Sequence, residues 1–235
     1  MKMFLTSTAL TLISVVAQAA PISDGSIYLE TFTAYPEDSK SQNFPVSTVS
    51  GGAVHISTVR PNEGVFRIAP VTLPSEYVME FDWTANGPLG DGFYMLYNEG
   101  TGPPWFASVS LRGVESGPSN WQFTIEHGTP SAFTNSPVLN YDQTYHITLH
   151  GKPGATKPVD LYLDGALVGT FTSRNPSLTP TLIQFGDVSS TDGYGDVTID
   201  NISIGAPIPE PSTLLLAALS GLVCVGVRRR RSIQQ

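Results

Sequence analysis

Apolar and polar side chains alternate along several short segments of this chain, and this two-residue period most constrains what the chain can fold into. Segments 77–84, 121–126 and 145–150 each place apolar residues at every second position. That period belongs to a β-strand with one buried face. Clusters of Gly, Pro, Asn and Asp separate the segments, and no segment keeps a helical period. We therefore expect the middle of the chain to be all-β.

The segment VDLYLDGALVGTF (159–171) predicts a β-hairpin. Its two halves alternate in polarity around Asp164-Gly165, and an Asp-Gly pair favours a type I′ turn because both central residues need a positive φ. Similar segments continue to Ile204, and we expect about ten to twelve strands. Strands at this spacing are typical of a sandwich or a barrel. We favour two antiparallel sheets packed face to face in a jelly roll.

The composition excludes several classes of protein. The 235 residues are 40% hydrophobic and 10% aromatic, which is too apolar for a disordered chain. The net charge of −8 argues against nucleic-acid binding, which needs a basic face. A mean hydropathy of +0.01 excludes a polytopic membrane protein. The single cysteine, Cys224, excludes a disulfide framework.

The first nineteen residues have the pattern of a secretory signal peptide. Lys2 is followed by an uncharged run, Met3 to Val16, and then by the small-x-small triplet Ala17-Gln18-Ala19. We expect signal peptidase to cleave after Ala19, with Ala20 as the alternative. The mature protein then begins at about residue 20.

The C-terminus has a second pattern, in residues 207–235. A proline-rich stretch is followed by the uncharged run Thr213 to Val227, and this run by a basic end. Fifteen helical residues span about 22 Å, short of a bilayer core of about 30 Å, although arginine side chains that reach the interface extend the span. The arginines should stay cytoplasmic. We expect a short transmembrane helix here.

The tail contains the triad Pro209, Glu210 and Pro211, and its basic residues are Arg228, Arg229, Arg230 and Arg231. With the apolar run between them, these residues resemble the PEP-CTERM sorting signal of Gram-negative bacteria. The resemblance implies recognition by exosortase, a membrane protease, with cleavage near the triad and release to the cell surface or into extracellular polysaccharide. A plain C-terminal membrane anchor is the alternative. The two interpretations differ in whether the tail is removed.

Removal of both ends changes the charge of the protein. Five of the twelve basic residues and none of the twenty acidic residues lie in the signal peptide or after Glu210. Residues 20–211 therefore carry seven basic and twenty acidic residues, a net charge of −13. Cys224 leaves with the tail, which suits an exported domain without disulfides.

Three stretches of residues 20–206 carry a family resemblance: YVMEFDWTA, the Asp-Gly hairpin and the ending FGDVSSTDGYGDVTIDNISI. Together they resemble the concanavalin A-like lectin/glucanase group of jelly rolls, which includes laminin-G-like domains. The opening Leu29-Glu30-Thr31-Phe32 also fits, because the first and last strands of this group usually pair. The resemblance implies an all-β sandwich that binds or acts on carbohydrate.

Hydrolysis by such a fold needs two carboxylates on one strand face. Glu80 and Asp82 share a face, but the glucanase-like pattern has a further Glu two residues past the Asp, where this chain has Thr84. We therefore expect no enzyme, and we interpret Glu80 and Asp82 as solvated acids. His146 and His150 are interpreted as a solvated pair on an outer strand face. A degenerate polysaccharide-acting enzyme remains the alternative.

Carbohydrate binding is the second hypothesis. The turn at Gly90-Asp91-Gly92-Phe93 resembles a turn of legume-type lectins, in which the Asp accepts sugar hydroxyls. Aromatic rings suit the C–H face of a sugar, and amides and carboxylates suit its hydroxyls. The candidate ligand-binding residues are Asp91, Trp105, Asn120 and Trp121.

A calcium site is a further hypothesis. Asp187, Asp192 and Asp196 lie close together among glycines, and calcium takes carboxylate and carbonyl oxygens from a bendable loop. No other cofactor is indicated. The expected partners are signal peptidase, exosortase, the membrane before processing, and extracellular polysaccharide. The chain is thus expected to be an exported, non-catalytic surface or matrix protein.

Overall fold

The computed structural model describes residues 19–30, 32, 41–43, 47–58, 65–89, 93–100, 107–117, 119–125, 128–129, 136–173, 176–177, 179–187 and 195–208. For some strand residues, such as 93–100 and 107–110, the description covers the backbone alone. Within these ranges the protein is all-β, as the alternating segments predict. Both ends of the chain, 1–18 and 209–235, lie outside the described residues.

Sixteen strands are described, more than the ten to twelve expected, because several are only two to four residues long. The first eight are β1 (Tyr28–Glu30), β2 (Ser41–Asn43), β3 (Ser47–Ser50), β4 (Ala53–Thr58), β5 (Val65–Ile68), β6 (Tyr77–Ala85), β7 (Phe93–Gly100) and β8 (Ala107–Gly117). The others are β9 (Asn120–Ile125), β10 (Gly128–Thr129), β11 (Leu139–Asn140), β12 (Thr144–Gly151), β13 (Pro158–Leu163), β14 (Ala166–Ser173), β15 (Pro180–Asp187) and β16 (Gly195–Gly205).

The strands form two antiparallel sheets. The larger sheet has nine strands in the order β10-β14-β13-β12-β6-β16-β4-β3, with β1 also paired to β16. The smaller sheet has seven strands in the order β11-β9-β8-β7-β15-β5-β2. Some neighbouring strands are consecutive in sequence, as β12, β13 and β14 are, but others are distant, as β6 and β16 are. This is the connectivity of a jelly roll rather than of a simple meander.

The core lies between the sheets, and aromatic rings join them. Phe81 of the larger sheet packs edge-on against Phe185 of the smaller one, with ring centroids 5.1 Å apart. Trp83 and Trp121 make a second contact across the core at 6.4 Å. All four side chains are fully buried. Burial of this apolar area is the main stabilising term of the domain.

The predicted hairpin forms as expected. β13 and β14 pair around Asp164 and Gly165, whose φ values of 48° and 78° are both positive, as a type I′ turn requires. The turn is also tied to the neighbouring strand β12, because the Asp164 carboxylate accepts a hydrogen bond of 2.9 Å from the amide of His146.

The two ends of the domain are held together by backbone pairing. β1 pairs with β16, as the resemblance implied. Beyond that pairing, Ser23 forms an isolated bridge with Pro207, and the amide of Ile208 donates to the carbonyl of Ile22 at 2.8 Å. We name this arrangement of residues 22–27 and 204–208 the terminal clasp. It extends the pairing of β1 with β16 to Ile208, the last described residue.

Gly205 lets the two segments of the terminal clasp approach closely. A Cβ built at this position would lie 2.0 Å from Oδ1 of Asp24 and 2.7 Å from the backbone nitrogen of Ser26. That oxygen accepts a hydrogen bond from the amide of Ala206 at 2.9 Å. A side chain at Gly205 is therefore incompatible with the clasp as it stands.

Candidate functional site

The outward face of the larger sheet carries a cluster of charged side chains on two neighbouring strands. Glu80 and Asp82 alternate on β6 with Met79, Phe81 and other core residues, so their side chains lie on the face opposite the core. On β12, His146 is the direct cross-strand partner of Asp82. Strand pairing thus brings together charges that are 64 residues apart in sequence.

The imidazole of His146 contacts both carboxylates. Its Nδ1 lies 2.7 Å from Oδ1 of Asp82, and its Nε2 lies 3.4 Å from Oε1 of Glu80. The side chains of His146, Asp82 and Glu80 are 41%, 23% and 11% exposed. The cluster is therefore set into the sheet surface, with the imidazole as its most accessible member.

A bulge in β16 adds an amide to this cluster. The register of β16 against β6 shifts between Asp200 and Ser203, and Asn201 has a φ of 52°. This backbone turn directs Nδ2 of Asn201 to Oδ2 of Asp82 at 2.7 Å. Bulges re-aim side chains in this way, and left-handed backbone on a residue other than glycine is concentrated at functional sites. We name Glu80, Asp82, His146 and Asn201 the polar cluster.

The contacts fix the charges of the polar cluster. Hydrogen bonds that the imidazole donates to the carboxylates of Asp82 and Glu80 raise the pKa of His146 to about 10, against the opposing effect of burial. The hydrogen bond from His146, supported by that from Asn201, lowers the pKa of Asp82. At neutral pH His146 is therefore a cation and Asp82 an anion.

A third carboxyl, Asp200, lies beside Asp82 on the neighbouring strand, where the two are register partners. Partial burial raises the pKa of Asp200, and the negative charge of Asp82 raises it further. The environment therefore pushes the pKa values of these two neighbouring carboxyls in opposite directions.

The N-terminal segment covers one side of the polar cluster. The backbone amide of Ser23 donates a buried hydrogen bond of 2.7 Å to Oε2 of Glu80, and Glu80 is 9% exposed overall. The interpretation of Glu80 as a solvated acid was therefore wrong. The sequence placed it correctly on the outward face, but the chain crosses that face through the terminal clasp.

The two histidines are not a simple solvated pair either. His146 belongs to the polar cluster, and Nε2 of His150 contacts Oε1 of Glu76 at 3.1 Å with its side chain 12% exposed. The alternation of the sequence shows that Glu80, Asp82 and His146 all lie on outward strand faces. It does not show the register between β6 and β12, which makes them neighbours.

The four candidate ligand-binding residues are not assembled into one site by the described part of the structure. Asp91 and Trp105 lie outside the described residues. Asn120 begins β9 and is partly exposed. Trp121 follows it but is fully buried, packed among Trp83, Phe123 and Tyr145.

The indole of Trp121 is also committed through its polar atom, because Nε1 donates to the carbonyl of Asn140 at 3.2 Å. The ring is a core contact between the two sheets. A sugar could stack on it only if the core opened. Trp121 is therefore a core residue, and its prediction as a ligand-binding residue was wrong.

Of the three candidate calcium ligands, Asp196 alone has a described side chain. Its Oδ1 contacts Nε2 of His55 at 2.5 Å and accepts from Nδ2 of Asn86 at 2.9 Å. Asp187 is the last residue of β15, and Asp192 lies outside the described residues. Among the residues that the structure describes, no group of three or more His, Cys, Asp or Glu side chains could hold a metal ion.

The sorting residues Pro209, Glu210, Pro211 and Arg228 to Arg231 lie outside the described residues, as does the expected transmembrane helix. The described ranges contain no helix that is long and apolar enough to cross a membrane.

The fold places the described domain in a class of two-sheet β-sandwiches. It is similar to Trypanosoma rangeli sialidase in complex with sialic acid, with a TM-score of 0.59 and 11% identity over 82% of this chain and 34% of that one. A second sialidase gives a TM-score of 0.56 and 16% identity over 80% of this chain and 18% of that one. The chain thus spans about a third or less of these two proteins.

A third similar structure is the Emp47p carbohydrate recognition domain, with a TM-score of 0.53 and 8% identity over 80% of this chain and 98% of that domain. At such identities the likeness concerns the fold, which is concanavalin A-like. No curated protein is similar enough in sequence to match this chain.

Residues 207–231 match the model of the PEP-CTERM protein-sorting motif. The resemblance read from the Pro-Glu-Pro triad, the apolar run and the arginines is therefore confirmed. The chain carries a sorting signal of the kind that directs a protein to export and to exosortase processing at the cell surface or outside it. The motif begins at Pro207, which the terminal clasp already holds.

Proposed function

We propose that the mature protein is a non-catalytic surface or matrix protein that binds extracellular polysaccharide weakly through the polar cluster of its larger sheet. The sorting motif at residues 207–231 supports the proposed location at the cell surface or outside the cell. In this proposal exosortase removes the tail near Pro209-Glu210-Pro211, after transient anchoring in the inner membrane of a Gram-negative-type bacterium.

The contact between Asp82 and Asn201 carries the proposal. A carboxylate and an amide from neighbouring strands are fixed 2.7 Å apart, and the backbone bulge that positions Asn201 leaves its side chain exposed. Such a pair presents both donors and acceptors, which the hydroxyls of a sugar need in combination. The bond from His146 holds Asp82 in one orientation, so little side-chain entropy is lost on binding.

Weak rather than tight binding is proposed because the described part of this face presents no exposed aromatic ring on which a sugar could stack. Among the described residues, the large hydrophobic side chains that are exposed are all aliphatic: Ile22, Leu29, Val138, Leu167 and Ile208. Aromatic rings supply much of the affinity for the C–H face of a sugar. Hydrogen bonds alone compete poorly with water.

The charges of the polar cluster favour binding over catalysis. A general acid or base works best when its pKa lies near the operating pH. The pKa of His146 is raised to about 10 and that of Asp82 is lowered, so at neutral pH the imidazolium keeps its proton and the carboxylate gains none.

Binding of the full-length protein in detergent micelles to a glycan array, with and without calcium, tests the proposal. We expect binding to one or more glycans, weakened about fivefold or more in Asp82→Asn, since the neutral amide loses a charge-assisted contact. Asp142→Asn is the matched control, because Asp142 is exposed and its φ of 58° suits Asn. Absence of any glycan binding would overturn the proposal.

The same array separates this face from a lectin site at Asp91. If Asp91→Asn abolished glycan binding while Asp82→Asn left it intact, the polar cluster would be the wrong site. Calcium dependence of that binding would in turn support the cation hypothesis for Asp187, Asp192 and Asp196.

A second candidate function is a polysaccharide-acting enzyme, favoured by one observation. Asp200, whose pKa is raised, is the register partner of Asp82, whose pKa is lowered. Two carboxyls driven apart in pKa are the arrangement of an acid and its base. Release of reducing ends from polysaccharides, lost in both Asp200→Asn and Asp82→Asn, would support the enzyme and contradict the non-catalytic proposal.

A further inference from the structure

The sorting motif begins inside the terminal clasp. Its match starts at Pro207, and both Pro207 and Ile208 belong to the paired segment of the clasp. The Pro-Glu-Pro triad, where the proposed function places the removal of the tail, starts at the next residue, Pro209. The residues directly before the proposed cleavage region are therefore held by the folded domain.

Backbone hydrogen bonds hold this end of the motif. The amide of Ile208 donates to the carbonyl of Ile22 at 2.8 Å, and the carbonyl of Ala206 accepts from the amide of Asp24 at 3.0 Å. The amide of Ala206 donates to Oδ1 of Asp24 at 2.9 Å. Pro207, between them, has no amide hydrogen to donate. Every backbone donor of these three residues is thus committed to the N-terminal segment.

The clasp can open while the rest of the domain stays folded. The side chains of Ile22 and Ile208 are 59% and 47% exposed, so little apolar area holds this pair together. Segments with few buried contacts open at a low cost in free energy. Next to the pair, the backbone nitrogens of Gly25 and Ser26 lie 2.8 Å and 2.7 Å from where a Cβ of Gly205 would stand. The closed clasp therefore depends on that glycine.

A protein that takes up an extended peptide binds it largely through main-chain hydrogen bonds. A main-chain amide that is already bonded within the fold is not available to a second partner. Proteolysis near a folded segment therefore proceeds from a locally opened state, and its rate follows the population of that state when opening and closing are fast. The N-terminal segment of the clasp and a protease compete for the same backbone.

We propose that the terminal clasp controls the removal of the tail. Exosortase acts on the open clasp, in which residues 206–208 have separated from the N-terminal segment, and a domain with a closed clasp keeps its tail. This inference rests on the proposed removal of the tail near Pro209-Glu210-Pro211. It adds a means of regulation, because any change that shifts the clasp between its closed and open states changes the rate of processing.

The full-length protein, reconstituted with exosortase in phospholipid vesicles, tests this control, with mass spectrometry following the loss of the tail. Gly205→Ala should open the clasp and speed tail removal about fivefold or more. Gly87→Ala is the matched control, because a Cβ there meets nothing within 4 Å, and it should keep the rate of the parent. Hydrogen exchange at the amide of Ile208 reports how far each variant has opened the clasp.

A disulfide across the clasp tests the opposite direction. Ser23 and Pro207 are antiparallel partners without a mutual hydrogen bond. The Cα atoms of such a pair lie about 4.5 Å apart, within the range of about 4.4–6.8 Å that a disulfide needs. Ser23→Cys with Pro207→Cys, in a Cys224→Ser background, should slow tail removal about tenfold or more when oxidised. Reduction should restore the rate of the control, Pro207→Cys alone in the same background and buffer.

The control by the clasp and the proposed processing fail in different ways. If the parent loses its tail, the inference is overturned when the oxidised disulfide variant is processed as fast as its control. It is also overturned when Gly205→Ala, with faster exchange at Ile208, is processed at the rate of the parent. If the parent keeps its tail, the proposed processing is itself contradicted, and control by the clasp with it. Thermal unfolding checks that each variant folds.

Discussion

The imidazole of His146 and the carboxylate of Asp82 face each other directly across the β6–β12 pair, with Nδ1 and Oδ1 2.7 Å apart. This cross-strand pair sets the charge of both groups. Because the pKa of His146 is raised and that of Asp82 is lowered, the ion pair forms over a wide range of pH. Its contribution to stability must then depend on pH in a defined direction.

Stability should fall in alkaline solution through His146. Its pKa rises from 6.5 to about 10 on folding, so the contribution is fully present below pH 6.5 and is lost as the pH rises through about 10. Since the imidazole is partly exposed, we expect a loss of about 1–2 kcal/mol rather than the full shift. Urea unfolding between pH 6 and 10 measures it. His146→Gln should remove the dependence of the free energy of unfolding on pH in this range. An unchanged dependence in that variant would assign it to another group.

Stability should also fall in acid through Asp82. A carboxyl with a lowered pKa contributes above its unfolded value of 3.8, and the contribution is lost as the pH falls through the folded pKa. The free energy of unfolding of Asp82→Asn, measured by urea unfolding, should therefore decrease less steeply with falling pH than that of the parent. Equal acid sensitivity of parent and variant would show that the His146 contact does not stabilise the fold.

Truncation of Glu80 should destabilise the domain by about 2 kcal/mol. Glu80→Ala leaves the buried amide of Ser23 without its acceptor and the imidazole of His146 without its second carboxylate. Glu76→Ala is the matched control, since Glu76 is 47% exposed, and it should cost a few tenths of a kcal/mol. Urea unfolding compares the two; similar losses would mean that the Ser23 bond carries no special weight.

A side chain at Gly205 should open the terminal clasp. In Gly205→Ala the new Cβ meets Oδ1 of Asp24 and the amide of Ser26, and overpacking of this kind costs about 1–3 kcal/mol. Hydrogen exchange should accelerate at the amides of Asp24 and Ile27, which donate across the clasp. In Gly87→Ala, where the space is open, exchange at these amides should stay unchanged. Unaltered protection in Gly205→Ala would show that the clasp adapts.

The Asp164-Gly165 turn should depend on glycine for backbone reasons alone. A Cβ at Gly165 meets nothing within 4 Å, but φ is 78°. Gly165→Ala should therefore cost about 1 kcal/mol in thermal or urea unfolding without any steric clash. Gly165→Asn, which tolerates positive φ better, should recover part of that loss. Equal losses for Ala and Asn would point to a cause other than φ.

The fold could be predicted from the sequence where the signal is local. Alternation along 77–84 identified which residues of β6 face the core, and Asp164-Gly165 identified a turn with two positive φ values. The number of strands was underestimated because pieces such as β10 and β11, two residues each, are too short to show a period. These pieces exist through pairing with longer strands, not through their own composition.

The polar cluster could not be predicted, because it depends on register. The alternation of the sequence placed Glu80, Asp82 and His146 on outward faces, but a strand can pair with its neighbour in many registers. Trp121 shows a different limit of the sequence. As an aromatic residue it suited a sugar-binding site, and its alternation with Gln122 equally suited the core. Only the packing of the two sheets shows that it belongs to the core. The bulge that directs Asn201 to Asp82 has no local signal other than the short polar pair Asp200-Asn201.

The terminal clasp has a mechanical consequence. The segments that begin and end the domain lie side by side, with the amide of Ile208 bonded to the carbonyl of Ile22 and the sorting motif beginning at Pro207. If the tail is pulled while the N-terminal end is held, the force therefore acts on the hydrogen bonds of the clasp one after another. It does not shear them all at the same time. Under such a load the first hydrogen bond to break is the one between Ile22 and Ile208, and its opening leads next to Ser23, whose amide donates to Glu80.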